Sequence, residues 1–162
     1  MQKYQIKFVF LIFGLSILVS FRILAAEASP WGAAQLLDIE YKPGKALYDI
    51  TTGDIEELSD LLSRIGLLYK LQGSDTFDGS IVVVVHGDAI PFFAMSQPGR
   101  YKDLMDRAHS LTVGTSIEFR MCRAAARQLN YEAKDIHGFV KMVPMADAEI
   151  VRLQHAGYAY MH

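Results

Sequence analysis

Hydrophobic positions along this chain switch between strand spacing and helix spacing. Residues 46–51 (ALYDIT) read as a short strand. Asp54-Ile55-Glu56-Glu57 then opens a helix, with Asp54 as N-cap and Glu57 three residues later in the capping-box position. Ile55, Leu58, Leu62 and Ile65, with Leu61 and Leu68 beside them, mark one apolar face, and Gly73 ends the helix. Ser80–Val85 (SIVVVV) is a continuous β-branched run, the pattern of a strand buried on both faces of a parallel sheet. It ends at His86-Gly87-Asp88. The apolar stretch IPFFAM follows, then a helix over residues 98–112 with Tyr101, Leu104, Met105, Ala108 and Leu111 inward. A third strand, 116–121, runs into Cys122 and a helix over 123–129. A fourth strand, 138–143, precedes Pro144 and a last helix over 146–156, stopped near Gly157. Strand and helix alternate four times with short connections, which predicts an α/β sheet of parallel strands with helices on both faces. Residues 27–45 show no sustained period and contain Pro30, Gly32, Pro43 and Gly44, so they read as an N-terminal extension to the domain at 46–162.

The first 26 residues follow a different logic. Lys3 and Lys7 precede fourteen uncharged residues, FVFLIFGLSILVSF. That run falls short of the ~20 apolar residues needed to span a bilayer, and it suits the h-region of a secretory signal peptide. Leu24-Ala25-Ala26 and Ala26-Glu27-Ala28 both offer cleavage sites. The expectation is a cleaved leader and a periplasmic or secreted protein; the alternative is an uncleaved N-terminal anchor.

Cleavage changes the charge. The full chain of 162 residues has 16 Lys+Arg and 18 Asp+Glu, a net charge of −2. Residues 1–26 take away Lys3, Lys7 and Arg22 and no acid, leaving 13 basic and 18 acidic residues, or −5. A chain of that balance does not seek nucleic acid or an anionic membrane surface. With a single cysteine there is no internal disulfide, and a lone thiol is an unusual feature in an oxidising compartment.

Candidate chemistry gathers at the carboxyl ends of the strands, where open parallel sheets bind their ligands. Thr51-Thr52-Gly53-Asp54 follows the first strand, His86-Gly87-Asp88 the second, and Cys122 ends the third between Arg120 and Arg123. A cysteine at the start of a helix meets free N–H groups and the positive end of the dipole, which favour the thiolate. Arg123 and Arg127 add positive charge. The competing reading of Cys122 is a small buried hydrophobe. His86 is a candidate proton partner for the thiol, or a histidine bonded to backbone. Asp88 is most simply the N-cap of the following turn; with Arg120, Arg123, Thr52 and Gly53 it also makes up the candidate substrate-binding set. Neither a third metal ligand at diagnostic spacing, nor a dinucleotide glycine fingerprint, nor G-x-S-x-G occurs, so no metal or cofactor is expected. IPFFAM reads as core, or as a contact patch if exposed, and Tyr158, Tyr160 and Met161 admit the same two readings.

Ile81 to Val85 leading into His86-Gly87-Asp88-Ala89-Ile90-Pro91-Phe92-Phe93, then Glu118-Phe119-Arg120-Met121-Cys122, then Arg152-Leu153-Gln154-His155-Ala156-Gly157-Tyr158-Ala159-Tyr160, together resemble the DsrE/DsrF family, and more narrowly its exported branch. The resemblance covers most of the chain beyond Ala46. It implies a three-layer α/β/α fold with a mainly parallel sheet, assembly into trimers or hexamers, and sulfur relay, in which one cysteine at a strand end holds sulfur as a persulfide. Cys122 matches that position. On this reading the partners are other copies of the chain and a sulfur donor or acceptor protein. Relay members are cytoplasmic, whereas this chain carries a leader, and His86-Gly87-Asp88 has no counterpart in the relay chemistry. Two alternatives stand beside the sulfur carrier: a non-catalytic oligomeric module binding a small ligand or a protein, with Cys122 buried, and a thiol redox sensor pairing Cys122 with an outside thiol.

Overall fold

A computed structural model describes residues 31–96 and 99–162. The expected leader lies outside the described residues, as does Pro98, where the sequence pattern starts the second helix. Five strands form one sheet in the order β4-β3-β2-β1-β5, and every neighbouring pair is parallel. They are β1 (Lys45–Ile50), β2 (Ser80–Val85), β3 (Ile117–Cys122), β4 (Val140–Val143) and β5 (Ala159–Met161). The helices are α1 (Ile55–Leu71), α2 (Lys102–Thr112), α3 (Arg123–Gln128) and α4 (Ala146–His155), and a 3-10 helix spans Gly87–Phe93. Among the described residues no helix is long and apolar enough to cross a membrane.

The strand order explains the layers. From β1 to β4 each strand is laid down beside the last in one direction, so right-handed crossovers put α1, α2 and α3 on one face. The step from β4 to β5 runs back across the sheet, which places α4 on the other face, against β1 and β2. β1, β2 and β3 therefore each feed two cores. Tyr48, Ile50, Val83, Val85, Phe119 and Met121 point into the larger one, with Leu58, Leu62 and Ile65 of α1 and Leu104, Met105 and Ala108 of α2. The alternate positions Leu47, Val82, Val84 and Cys122 point into a smaller one, closed by Ala146 and Leu153 of α4. This is the expected three-layer α/β/α arrangement. Ile90, Phe92, Phe93 and Ala94 of the IPFFAM stretch are buried, and only Met95 is exposed.

Four local expectations are corrected. Glu57 does not close a capping box: its carboxylate accepts from the Thr52 hydroxyl at 2.6 Å, while the Asp54 N–H donates to Thr52 Oγ1 at 3.0 Å. Ile55 is 43% exposed, because the inward stripe of α1 begins only at Leu58. β4 starts at Val140 rather than 138, since a turn closed by the Val140 N–H to His137 oxygen bond precedes it. The three-residue strand β5, unassigned from sequence, pairs with β1 at Ala46↔Ala159, Leu47↔Tyr160 and Tyr48↔Met161.

Asp54 itself caps α1 as expected, its side chain accepting from the N–H groups of Glu56 (2.7 Å) and Glu57 (3.1 Å). Asp54→Ala removes Oδ1, the one oxygen that accepts both bonds in the first turn. Thermal or urea unfolding is expected to show a loss of about 1 kcal/mol, and an unchanged midpoint would contradict this capping role.

Candidate functional site

Because the strands are parallel, the residues after β1, β2, β3 and β4 share one rim. Cys122 is both the last residue of β3 and the N-cap of α3, and its Sγ accepts from the Ala125 N–H at 3.4 Å. The side chain is 5% exposed and packs with Leu47, Val82, Val84, Ala146 and Leu153. The sulfur thus meets one helix N–H and is otherwise surrounded by apolar side chains.

On the neighbouring strand, the β2–β3 register ends at Val85↔Met121. Beyond it, His86 leads into the 3-10 helix and Cys122 packs on the α4 side of the sheet. The His86 N–H continues the ladder to the Ile50 oxygen at 3.0 Å, and its backbone is extended (φ −153°, ψ −177°). The imidazole reaches the other way, to β1: Nε2 lies 2.7 Å from Asp49 Oδ1. The other Asp49 oxygen, Oδ2, accepts from the Tyr160 hydroxyl of β5 at 2.6 Å. The His86 and Asp49 side chains are 25% and 15% exposed. The hydrogen bond to Asp49 keeps the proton on the Tyr160 phenol, and this, with burial and the carboxylate's charge, pushes the Tyr160 pKa up to about 12. Tyr160, Asp49 and His86 form a hydrogen-bonded chain from β5 through β1 to the end of β2.

The remaining candidates divide. Gly53 and Asp88 meet where the two rim loops pack: a Cβ on Gly53 would sit 3.2 Å from that of Asp88. Gly87, at φ +59°, lets the second loop pass Thr51, an angle that disfavours any side chain there. Asp88 is not the expected N-cap; His86 holds that position and Asp88 is exposed in the first turn. Thr52 is tied to Glu57 and Asp54, as above. A cleft of about 660 Å³ opens beside these loops, between α1 and the end of β5. Asp49, Asp54, Glu56, Glu57 and Asp60 line it against Arg64, so its field repels anions.

Arg120 is not presented to the rim. Its guanidinium donates to Glu118 Oε2 (3.0 and 2.7 Å) and to Glu149 Oε1. Arg152 donates to Glu149 (2.9 and 2.7 Å) and Lys141 to Glu118 (2.8 Å), completing an alternating network that ties α4 to β3. Arg123 is exposed, and Arg127 is paired with Glu132 at 3.3 Å rather than turned to the sulfur. Among the described residues no group of three or more His, Cys, Asp or Glu is placed to hold a metal ion.

Sequence reasoning missed Asp49 and Tyr160. The signal for Asp49 was an acid inside an apolar strand, since a carboxylate there needs partners.

The sequence pattern of the DsrE/DsrF-like family matches residues 45–162. A solved structure of a protein of unknown function from Methanobacterium thermoautotrophicum shares the fold. It is 19% identical, with 73% of this chain and 97% of that one covered, at a TM-score of 0.59. No curated protein matches the chain.

Proposed function

The chain belongs to the DsrE/DsrF-like family, and from that premise we propose that it is an exported sulfur carrier, holding sulfane sulfur as a persulfide on Cys122. The observation that carries this reading is the place of the sulfur: at the carboxyl end of β3, under the Ala125 N–H. The step balances without an external oxidant or reductant. Cys122 gives its thiol proton to His86, and the thiolate attacks the outer sulfur of a donor persulfide, R–S–SH. The Cys122 Sγ–S bond forms, the donor S–S bond breaks, and the departing R–S⁻ takes up the proton. Transfer to an acceptor thiol is the same exchange in reverse. The leader routes the protein to the periplasm or outside the cell, and copies of the chain assemble as trimers or hexamers, as family resemblance implies.

One observation favours a second reading. Cys122 is 5% exposed in an apolar cluster, as a structural cysteine would be. The protein would then be a binding module for a small ligand or a protein. Intact mass separates the two. Protein purified without reductant from its own compartment, or exposed to inorganic polysulfide, is expected to carry an added mass of about 32 Da or a multiple, removed by reductant. The bare mass under both conditions would overturn the carrier reading in favour of the binding module.

A further inference from the structure

We propose that residues 36–41 of one copy of the chain lie in the groove between α1 and α2 of a second copy and hold the two together. This goes beyond the sulfur-carrier reading: it gives the assembly named there a contact, and it does not depend on Cys122.

Two apolar surfaces of the chain lack a cover. The first is the arm before β1. Every residue from 31 to 43 is exposed, Leu36 and Leu37 by 99% and 76%. Leu37, Ile39 and Tyr41 alternate with Asp38 and Glu40, so the arm, when extended, has an apolar side and an acidic side. The second is a groove of about 460 Å³ between α1 and the last turns of α2. Leu62, Leu67, Leu111 and Ile117 line it, and Leu67 is exposed. Its charged side chains are Lys70 and Arg107, and none of its described lining residues is acidic.

Charge names the occupant. The Arg107 guanidinium donates to Ser59 Oγ (2.8 Å), Ser63 Oγ (2.9 Å) and the Ser59 carbonyl (3.2 Å), all neutral acceptors that fix its position and leave its charge in place. Among the described residues neither Lys70 nor Arg107 forms an ion pair, and neither do Asp38 and Glu40. An apolar groove edged by two uncompensated cations thus matches an apolar segment edged by two uncompensated acids. The lengths agree as well. Six extended residues span about 20 Å, and the stretch of α1 from Leu62 to Lys70 is about 12 Å long.

The base of the arm favours a neighbour's groove over the chain's own. Gly44 is pinned to the start of β2, its carbonyl accepting from the Ser80 N–H at 3.1 Å. Pro43 before it has a fixed φ and keeps Lys42 extended, so the arm leaves the domain as a stiff strand and does not turn back over α1.

The test is sedimentation velocity on the exported chain over a concentration series, with a crosslink to fix which copy is filled. The native chain is expected to associate. Asp38→Lys with Glu40→Lys, and separately Lys70→Glu, should each raise the dissociation constant at least about tenfold, because each sets like charges against one another. All three substitutions together should recover most of the lost affinity, which unrelated surface damage would not. For the crosslink, Ile39→Cys and Leu67→Cys are placed together in the Cys122→Ala chain and oxidised; disulfide-linked dimers and larger species are expected on a non-reducing gel. Reversal variants that associate like the native chain, or a disulfide closed within single chains, would overturn the arm's role while assembly and the carrier reading stand. A native chain that stays monomeric at every concentration would overturn this inference and the proposed assembly together, leaving sulfur on Cys122 to its own mass measurement.

Discussion

Cys122→Ala is expected to gain no mass from a polysulfide donor that adds about 32 Da to the native chain, and to remain folded. Cys122 is the chain's one cysteine, so no second thiol can substitute for it. The structural cost of the change is small. Sγ sits among Leu47, Val82, Val84, Ala146 and Leu153, where a methyl group is tolerated, and the Ala125 N–H loses an acceptor at the short helix α3. Together these amount to about 1–2 kcal/mol. Cys122→Ser offers the N-terminus of α3 a better cap and is expected to be equally empty of sulfur. Mass spectra before and after reductant, read beside thermal melts, check both variants. Reductant-labile mass persisting on a folded Cys122→Ala protein would place the sulfur elsewhere and remove the basis for the proposed function.

How the sequence reading succeeded and failed follows from which forces are local. Ser80–Val85 is legible residue for residue because a parallel strand buried on both faces has to be apolar throughout. α1 is legible because its stripe, Leu58, Leu61, Leu62 and Ile65, and its cap, Asp54, both lie within a few residues of where they act. β5 is different. It has three residues, Tyr160 among them is 42% exposed, and only pairing with β1 more than a hundred positions away makes it a strand. No window of neighbouring residues contains that information.

The same division runs through the site. Cys122 and His86 are legible because strand ends in a parallel sheet mark the binding rim, and both strands have clear apolar patterns. Arg120 reads from sequence as a free positive charge beside the cysteine. Yet Glu118 lies two residues before it, on the same strand face, and a strand with charges at alternate positions calls for an ion pair. Its second partner, Glu149, is 29 residues away on α4 and has no local signature. Asp49 and Tyr160 were hidden for the same reason, each being explicable only once β1, β2 and β5 are known to be adjacent.

Glu149 leads from that network to the second large effect. The residue is 8% exposed and accepts from Arg152 and Arg120. The Arg152 hydrogen bonds, opposed by burial and reinforced by Arg120, lower its pKa from the ordinary 4.5 to about 2. A carboxyl group lowered on folding stabilises the fold fully above its unfolded value, and that stability is lost as pH falls from 4.5 toward 2. The gap corresponds to about 2–3 kcal/mol, allowing for the exposure of Arg152. Glu149→Gln is therefore expected to lose about 2–3 kcal/mol at pH 7 and to show a flatter decline in stability between pH 4.5 and pH 2 than the native protein. Urea unfolding across that window tests it, and parallel declines in the two proteins would refute it. The consequence reaches the sulfur. Glu149 ties α4 to β3 through Arg120, and α4 supplies Ala146 and Leu153 to the cluster around Cys122. Loosening that tie is expected to speed alkylation of Cys122 by iodoacetamide several-fold at neutral pH. The ion-pair network and the cysteine then act on one variable, the access of a donor to a thiol the fold keeps nearly covered.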